Sequence, residues 1–275
     1  MVTFPNCKIN LGLNITAKRE DGYHDIETVF YPLQLQDALE VIRTAINDGE
    51  PDVLFKSTGL PIEGNTQDNL CIKAYQLLKK DHPGIPPVHI HLHKAIPMGA
   101  GLGGGSADGA FTLRLLAEHF QLGLSDQQLA AYALQLGSDC PFFIYNKPCF
   151  AKGRGEKLAP VTLDLSAWQF LLVHPGIHVA TGWAFSQITP RQPGRTAAEI
   201  IHEPVENWRD VLVNDFEIPV IKKYPEIHSI KEKLYAQGAV YASMTGSGST
   251  VFGMFRKKTI LPRKAFSDHA VTIAI

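Results

Sequence analysis

A glycine-rich segment at residues 97–110 is the clearest place in this sequence where residue type and spacing could do chemistry. It reads P-M-G-A-G-L-G-G-G-S-A-D-G-A, and five of the seven residues from Gly99 to Gly105 are glycines. Glycine adopts positive φ and lets an anion approach the main chain, so successive N–H groups can surround phosphate oxygens. A helical pattern follows directly, and a helix N-terminus adds free N–H groups and its dipole. The segment therefore predicts a phosphate-binding loop, where Ser106 either caps the helix or offers its hydroxyl to a phosphate or Mg²⁺.

Three other interpretations of the glycines are weaker. A P-loop needs a lysine directly after its glycines, and this segment has none. A dinucleotide fingerprint is formally met by Gly99, Gly101 and Gly104, but a glycine run satisfies many patterns, and Pro97 interrupts the junction between strand and turn. A flexible linker is disfavoured because the segment lies between an alternating strand and a patterned helix.

Candidate catalytic and base-binding residues lie elsewhere in the chain. Asp139 precedes a turn closed by Pro141, and by itself it is either a turn residue or an acid–base group. Lys8 lies on the polar side of a strand pattern, where a solvated lysine is the plain alternative. A lysine and an aspartate suffice for phosphoryl transfer, which needs positioning and charge neutralisation more than covalent chemistry. Tyr23 and His24 follow a turn, where such residues are usually exposed surface residues. Alternatively, the tyrosine provides an aromatic face and the histidine a hydrogen-bonding ring for a pyrimidine base.

Histidines and cysteines give no metal signature. The segment V-H-I-H-L-H at 88–93 alternates strictly, and the polar face of a strand is favoured over a metal site because no fourth ligand lies near in sequence. The four cysteines form no C-x-x-C pair, which predicts reduced thiols in a cytoplasmic protein.

Hydrophobic periodicity predicts the elements that must position these groups. Strands are expected at 7–16 (half-buried, with its polar residues opposite), 25–35, 38–43, 88–93, 168–175, 239–243 and 250–255. Helices are expected at 66–80 with Thr66 or Asp68 as cap, at 106–120, at 125–136 with Ser125 or Asp126 as cap, and at 226–237. Residues 189–204 are expected to form a loop or lid. This mixed order predicts an α+β fold in two domains, divided near residue 155.

Composition narrows the class of partner. The 275 residues carry 26 Lys plus Arg and 27 Asp plus Glu, a net charge of -1, which gives no basic footprint for nucleic acid. No apolar run approaches the ~20 residues that span a bilayer. A small-molecule substrate is therefore expected, with no nucleic acid or membrane partner, and the chain is expected to be a monomer or weak homodimer.

The glycine segment resembles the phosphate-binding motif of the GHMP kinases, and its triple glycine is most similar to the branch that acts on diphosphocytidyl-methylerythritol. Two departures are Gly109, where that branch more often has Ala, and Cys140, where Val or Ile is commoner. Other blocks resemble that branch in the same order: C-K-I-N-L-G-L at 7–13, D-G-Y-H at 21–24, E-T-V-F at 27–30, D-N-L at 68–70, L-G-S-D-C-P-F-F at 136–143, H-P-G-I-H-V-A-T at 174–181, N-D-F-E at 214–217 and M-T-G-S-G-S-T-V-F at 244–252.

The resemblance implies a two-domain architecture, with an ATP-binding α+β domain at 1–155 and a ferredoxin-like domain at 156–275. It implies that the protein phosphorylates the 2-hydroxyl of diphosphocytidyl-methylerythritol in isoprenoid-precursor synthesis. ATP would be the phosphoryl donor and Mg²⁺ the metal cofactor. Lys8 and Asp139 would be catalytic, with Asp139 as base. Substrate contacts would come from Asn10, Tyr23, His24 and Phe185, the last closing a cytosine pocket. ATP contacts would come from Pro97, Gly99, Gly101, Leu102, Gly103, Gly104, Gly105 and Ser106, with Asn69 and Lys94 on the adenine side. The Gly246-Ser-Gly-Ser loop would line the substrate site or simply join two strands.

Two rival functions remain at this stage. A homoserine or mevalonate-type kinase shares the glycine motif, but D-G-Y-H disfavours it. A non-catalytic nucleotide-sensing or RNA-binding protein is disfavoured by the near-neutral charge and by the presence of both Lys8 and Asp139.

Overall fold

The structure, a computed structural model, describes residues 1–44 and 51–274, with side chains described as far as residue 269. Within those ranges the strands are β1 Val2–Thr3, β2 Asn6–Lys18, β3 His24–Gln36, β4 Ala38–Arg43, β5 Val53–Gly59, β6 Val88–Lys94, β7 Cys149–Lys152, β8 Lys157–Pro160, β9 Trp168–His174, β10 Tyr241–Met244, β11 Val251–Arg256 and β12 Ala270–Ala274. The α-helices are α1 Leu70–Asp81, α2 Gly104–His119, α3 Asp126–Leu136, α4 Cys140–Tyr145, α5 Thr181–Ser186, α6 Ala197–Ile200, α7 Glu217–Lys223 and α8 Pro225–Ala236. The predicted α+β class is confirmed.

The first of two compact units comprises Met1–Cys7, Gln36–Met98 and Gly103–Lys147. Its sheet has the order β1-β4-β6-β5, in which β6 runs antiparallel to β4 and parallel to β5. The alternation at 88–93 places Val88, Ile90 and Leu92 in the core with no exposed surface. Helix α2 contacts α1, α3 and α4, so this unit is a helical layer together with one mixed sheet.

The second unit comprises Lys8–Leu35, Gly99–Leu102 and Pro148–Ile275. It contains a sheet of order β2-β3-β7-β8 and an antiparallel sheet of order β10-β11-β9-β12. Counted along the chain, the four strands of the antiparallel sheet lie in the order 4-1-3-2, as in a ferredoxin-like sheet. Its second crossover contains the short 3-10 helix Arg263–Phe266. The units are discontinuous along the chain, and the domain boundary near residue 155 stays a prediction.

Helix starts differ from the sequence expectation in two places. Helix α1 begins at Leu70, and neither Thr66 nor Asp68 caps it, because the Asn69 side chain accepts a 2.9 Å hydrogen bond from the Cys71 N–H. Helix α2 begins two residues before Ser106, and no side chain caps it. Helical periodicity is read from apolar side chains, which glycines lack, so the predicted start of α2 was two residues too late.

Other elements agree with the pattern, or refine it. Ser125 caps α3 in a capping box with Gln128, as predicted. The stretch at 189–204 is not entirely loop, because α6 lies within it and begins with a Thr196–Glu199 capping box. Strand β2 was expected to be half-buried, but every residue from its start through Leu13 is buried. Among the described residues, no helix combines the length and apolarity needed to cross a membrane.

Candidate active site

Residues 99–102 of the glycine segment belong to the second unit. They pack against a second glycine-containing loop, residues 245–250 between β10 and β11. Gly99 and Gly101 have φ of 65° and 79°, the left-handed region that glycine favours. A Cβ on Gly101 would lie 2.1 Å from the carbonyl oxygen of Thr245, and the Thr250 N–H donates to the Ala100 carbonyl at 3.3 Å. The loop between β10 and β11 is therefore more than a strand connection, because it supports the glycine segment. Its contact with substrate stays a prediction.

The second half of the segment belongs to the first unit and opens helix α2. Gly103 has φ of 71° and occupies the N-cap position, so a left-handed glycine replaces a capping side chain and leaves room for an anion at the helix start. Gly104 has no positive φ. A Cβ there would lie 2.8 Å from Ile96 Cγ2, so Gly104 is required by packing and not by backbone strain.

Asp139 is placed by α4, which begins directly after it, and Asp139 occupies the N-cap position with φ of -83°. The neighbouring Cys140 thiol is hydrogen-bonded by the side chain of Ser106, in the first turn of α2. Burial raises the pKa of Cys140 to about 12, so this thiol stays protonated and acts as a packing group. Ser106 therefore joins the end of the glycine segment to the segment that carries Asp139.

Lys8 is buried, with 4 % of its surface exposed, which rules out a solvated strand lysine. Its Nζ donates to Asn10 Oδ1 at 2.7 Å and to the Gly101 carbonyl at 3.1 Å, and lies 5.1 Å from the centroid of the Phe30 ring. A buried charge must be well partnered to be tolerated. The structure thus fixes the ammonium of Lys8 beside the glycine segment.

Asn10 is the centre of a hydrogen-bond network. Its Oδ1 accepts from Lys8 Nζ, from Thr245 Oγ1 at 3.2 Å and from the Gly246 N–H at 3.0 Å. Its Nδ2 donates to Thr28 Oγ1 at 3.0 Å. The sequence drew attention to Asn10 but not to Thr245 or Thr28, and only their inclusion in the family-like blocks marked them. A contact of Asn10 with substrate stays a prediction.

Two of the predicted base-binding residues meet in the second unit. The rings of His24 and Phe185 are stacked, with centroids 4.8 Å apart and planes 17° apart. Burial, followed by the charge of Lys18, lowers the pKa of His24, which favours the neutral ring with one donor and one acceptor nitrogen. Tyr23 is 55 % exposed and lies under the guanidinium of Arg154 at 4.9 Å. Sequence reasoning missed Arg154, which no pattern marks.

Lys94 is the cation of a buried cluster in the first unit. Its Nζ contacts Asp108 Oδ2 at 2.8 Å and also bonds Asp37, and these three side chains are almost wholly buried. Asp37 Oδ1 accepts from the N–H groups of Ala95 and Ile96 at 2.6 and 2.8 Å, which fixes the chain as it leaves β6. A Cβ on Gly104 would lie 3.3 Å from Lys94 Nζ, so this positive charge lies behind the start of α2.

Burial raises the pKa of Asp108 to about 7, against the pull of Lys94 and with Asp37 acting in the same direction as burial. The structure does not test the adenine-side roles of Lys94 and Asn69. Asp37 was missed because an isolated aspartate carries no signal until folding brings it to its partners, and only its place in the glycine segment marked Asp108.

The alternating histidines do not gather metal ligands. His91 Nε2 and His93 Nδ1 each lie 3.0 Å from Thr58 Oγ1. Among the side chains that the structure describes, in residues 1–44 and 51–269, no group of three or more His, Cys, Asp or Glu could hold a metal ion.

The sequence is similar to known proteins over most of its length. The chain matches the family model of the GHMP kinases N terminal domain at residues 69–147 and that of the GHMP kinases C terminal domain at 196–263. It is 52% identical to a 4-diphosphocytidyl-2-C-methyl-D-erythritol kinase of Bacteroides fragilis, over 97% of this chain and 96% of that protein. It is 53% identical to a protein of the same name from Bacteroides thetaiotaomicron, over 95% and 94% of the two chains.

Solved structures of two kinases share the fold of this chain. A crystal structure of 4-(cytidine 5'-diphospho)-2C-methyl-D-erythritol kinase superposes with a TM-score of 0.80 and 28% identity, covering 100% of this chain and 98% of the other. Mevalonate kinase of Methanococcus jannaschii shares the fold, with a TM-score of 0.71 at 15% identity and coverage of 100% and 97%. Because the two family models match more than half of the chain and the relatives match nearly its whole length, the chain belongs to the GHMP kinase family.

Proposed function

We propose that this protein phosphorylates the 2-hydroxyl of 4-diphosphocytidyl-2-C-methyl-D-erythritol with ATP, a step of the non-mevalonate route to isoprenoid precursors. The observation that carries the proposal is the His24–Phe185 stack, since an imidazole held against a phenyl ring offers a planar pyrimidine both an aromatic face and hydrogen-bonding nitrogens. The proposal agrees with the names of the relatives that share about half of its residues.

The glycine segment is the proposed binding site for the triphosphate of ATP. Left-handed φ at Gly99 and Gly101 is a conformation in which a main chain can approach an anion closely. Gly103, also left-handed, opens the 16-residue helix α2, whose free N–H groups favour a phosphate. Pro97, Leu102, Gly105 and Ser106 complete the proposed phosphate site, and the adenine is assigned to the side of Asn69 and Lys94.

The reaction is a direct transfer. The oxygen of the substrate 2-hydroxyl bonds to the γ-phosphorus of ATP, the bond from that phosphorus to the β–γ bridging oxygen breaks, and ADP leaves. Asp139 accepts the hydroxyl proton, as a general base does in such reactions. Lys8 orients the hydroxyl and neutralises charge as it develops, a role for which its buried ammonium is suited. Asn10 aligns Lys8, and Tyr23, His24 and Phe185 hold the cytidine.

Mg²⁺ is proposed as the metal that accompanies ATP. Magnesium in kinases is held largely by nucleotide phosphates with one or two protein oxygens. Bound there, Mg²⁺ would neutralise phosphate charge, and the hydroxyl of Ser106, within the glycine segment, could contribute one ligand oxygen. A cytoplasmic location and a monomer or weak homodimer are further proposals, without nucleic acid or membrane partners.

The test is ADP release with four alcohols in parallel: the cytidine substrate, homoserine, mevalonate and galactose. ADP release should require the cytidine compound. Mass spectrometry of the product should show one added phosphoryl group on the erythritol moiety. Equal or greater turnover with homoserine or mevalonate would contradict the proposed substrate but leave the kinase assignment intact.

A further inference from the structure

Thr245 is a wholly buried residue in the loop between β10 and β11, with no exposed surface. Its hydroxyl lies 3.0 Å from the Asn10 N–H, which donates to it. The same Oγ1 lies 3.2 Å from Asn10 Oδ1 and 3.1 Å from the Gly101 carbonyl oxygen. Those two oxygens are also acceptors of the Lys8 ammonium, at 2.7 and 3.1 Å. One hydroxyl thus contacts both oxygens that orient Lys8.

We propose that Thr245 is a positioning residue, which holds the Asn10 amide and the Gly101 carbonyl where they fix the Lys8 ammonium for phosphoryl transfer. This inference rests on the proposed function. A lysine side chain has many rotamers, and its ammonium direction is set by its acceptors. If those acceptors shift, Lys8 loses its alignment, and misplacement by about 1 Å can cost up to about 10²-fold in rate.

Thr245 is itself rigidly held, as a positioning residue must be. Its N–H donates to the Thr250 carbonyl at 3.0 Å, and its carbonyl accepts from the Gly248 N–H at 3.1 Å. On either side of it in sequence, Asn214 Nδ2 donates to the carbonyls of Met244 and Gly246 at 2.7 and 2.9 Å. These hydrogen bonds fix the backbone at Thr245, and the fixed backbone in turn fixes the position of the hydroxyl.

The experiment replaces only that hydroxyl. Thr245→Val keeps the shape and removes the oxygen, whereas Thr245→Ser keeps the oxygen. We expect Thr245→Val to lower kcat by about 10- to 100-fold, with the KM for ATP within about threefold of wild type, and Thr245→Ser to retain most of kcat. Thr112→Val is the matched control, since Thr112 is equally buried and its hydroxyl donates to the Asp108 carbonyl within α2 at 2.7 Å. It should lower Tm without lowering kcat.

A double-mutant cycle separates positioning from general destabilisation. If Thr245 acts through Lys8, Thr245→Val should lower kcat by less than about twofold in a Lys8→Met background. Two results overturn the inference: a Thr245→Val variant that loses Tm but keeps kcat, and a full multiplicative loss in the Lys8→Met background. If Thr245→Val does not fold, Thr245→Ala carries the same expectations.

Failure of the proposed function would look different. Wild type that releases ADP only with another alcohol contradicts the proposed substrate, and the same cycle is then measured with that alcohol. A Lys8→Met variant with full kcat removes Lys8 from the mechanism and the inference with it. Loss of kcat in Lys8→Met together with normal kcat in Thr245→Val defeats the inference alone.

Discussion

The imidazole of His24 stacks on the ring of Phe185, with centroids 4.8 Å and planes 17° apart, although the two residues lie in widely separated segments. Phe185 in turn meets Phe216 edge to face, with ring centroids 4.9 Å apart. The stack is thereby anchored to the packed residues of the second unit, so His24 presents its ring in a fixed orientation. A fixed aromatic surface binds a planar base with little loss of side-chain entropy.

Removing either ring of the stack should weaken binding of the cytidine substrate. A stacked aromatic pair contributes about 0.5–1.5 kcal/mol beyond burial, and about 1.4 kcal/mol is tenfold. His24→Ala and Phe185→Ala should each raise the KM for the cytidine substrate about tenfold. Tyr23→Ala should move the same constant in the same direction. Steady-state kinetics with each substrate varied in turn measures this.

The KM for ATP should hardly change in those variants. Tyr145→Ala, at a 44 % exposed aromatic position with no assigned role, is the control and should leave both constants unchanged. A rise in the KM for ATP alone would move these residues to the nucleotide site.

Asp139→Asn should lower kcat by about 10²-fold or more, the usual cost of losing a general base, because an amide cannot accept the hydroxyl proton. ATP affinity, measured by calorimetry, should stay within a few fold of wild type. Asp164→Asn removes an exposed turn carboxylate that accepts from the Ser166 N–H, and it should keep kcat. Full activity of Asp139→Asn at saturating substrates would exclude Asp139 as the base.

Gly101→Ala should abolish detectable ATP binding, because its φ of 79° is strained for alanine and its Cβ would lie 2.1 Å from the Thr245 carbonyl. Calorimetry of ATP binding and thermal unfolding are measured together. Gly84→Ala is the control, since no atom lies within 4 Å of a Cβ there. Gly104→Ala should mainly lower Tm through its contact with Ile96. Unchanged ATP affinity in a folded Gly101→Ala protein would refute the phosphate-loop assignment.

The stability of the protein should depend on pH through Asp108. Its folded-state pKa of about 7 lies above the ordinary value of about 3.9 for aspartate. The folded chain therefore binds the extra proton between about pH 4 and 7. This contribution to stability is fully present below about pH 4 and is lost as the pH rises through about 7.

In Asp108→Asn, the decrease in Tm between pH 5 and pH 8 should be smaller than in wild type. Asp37, Lys94 and Cys71 surround this carboxyl, and none of them is changed in that variant. Identical pH profiles for the two proteins would show that Asp108 does not titrate in this window.

The sequence by itself determined the class of fold, and it singled out the glycine segment that we propose as the phosphate loop. Strict alternation at 88–93 and helical periodicity in the later segments depend on local geometry, which one-dimensional spacing reports directly. Glycine density works in the same way, because conformational freedom belongs to each residue. The predicted start of α2 was wrong because the helix begins with glycines, which have no side chain to contribute to a hydrophobic period.

Only the tertiary structure decided which side chains act together. Lys8 alternates with apolar neighbours and looked exposed, but long-range packing buries it beside Gly101, and Thr245 reaches the same point from the far end of the chain. The Lys94 cluster likewise joins Asp37 and Asp108 from separate elements. Such contacts depend on how strands and loops pack in three dimensions, and spacing along one chain carries no record of that packing.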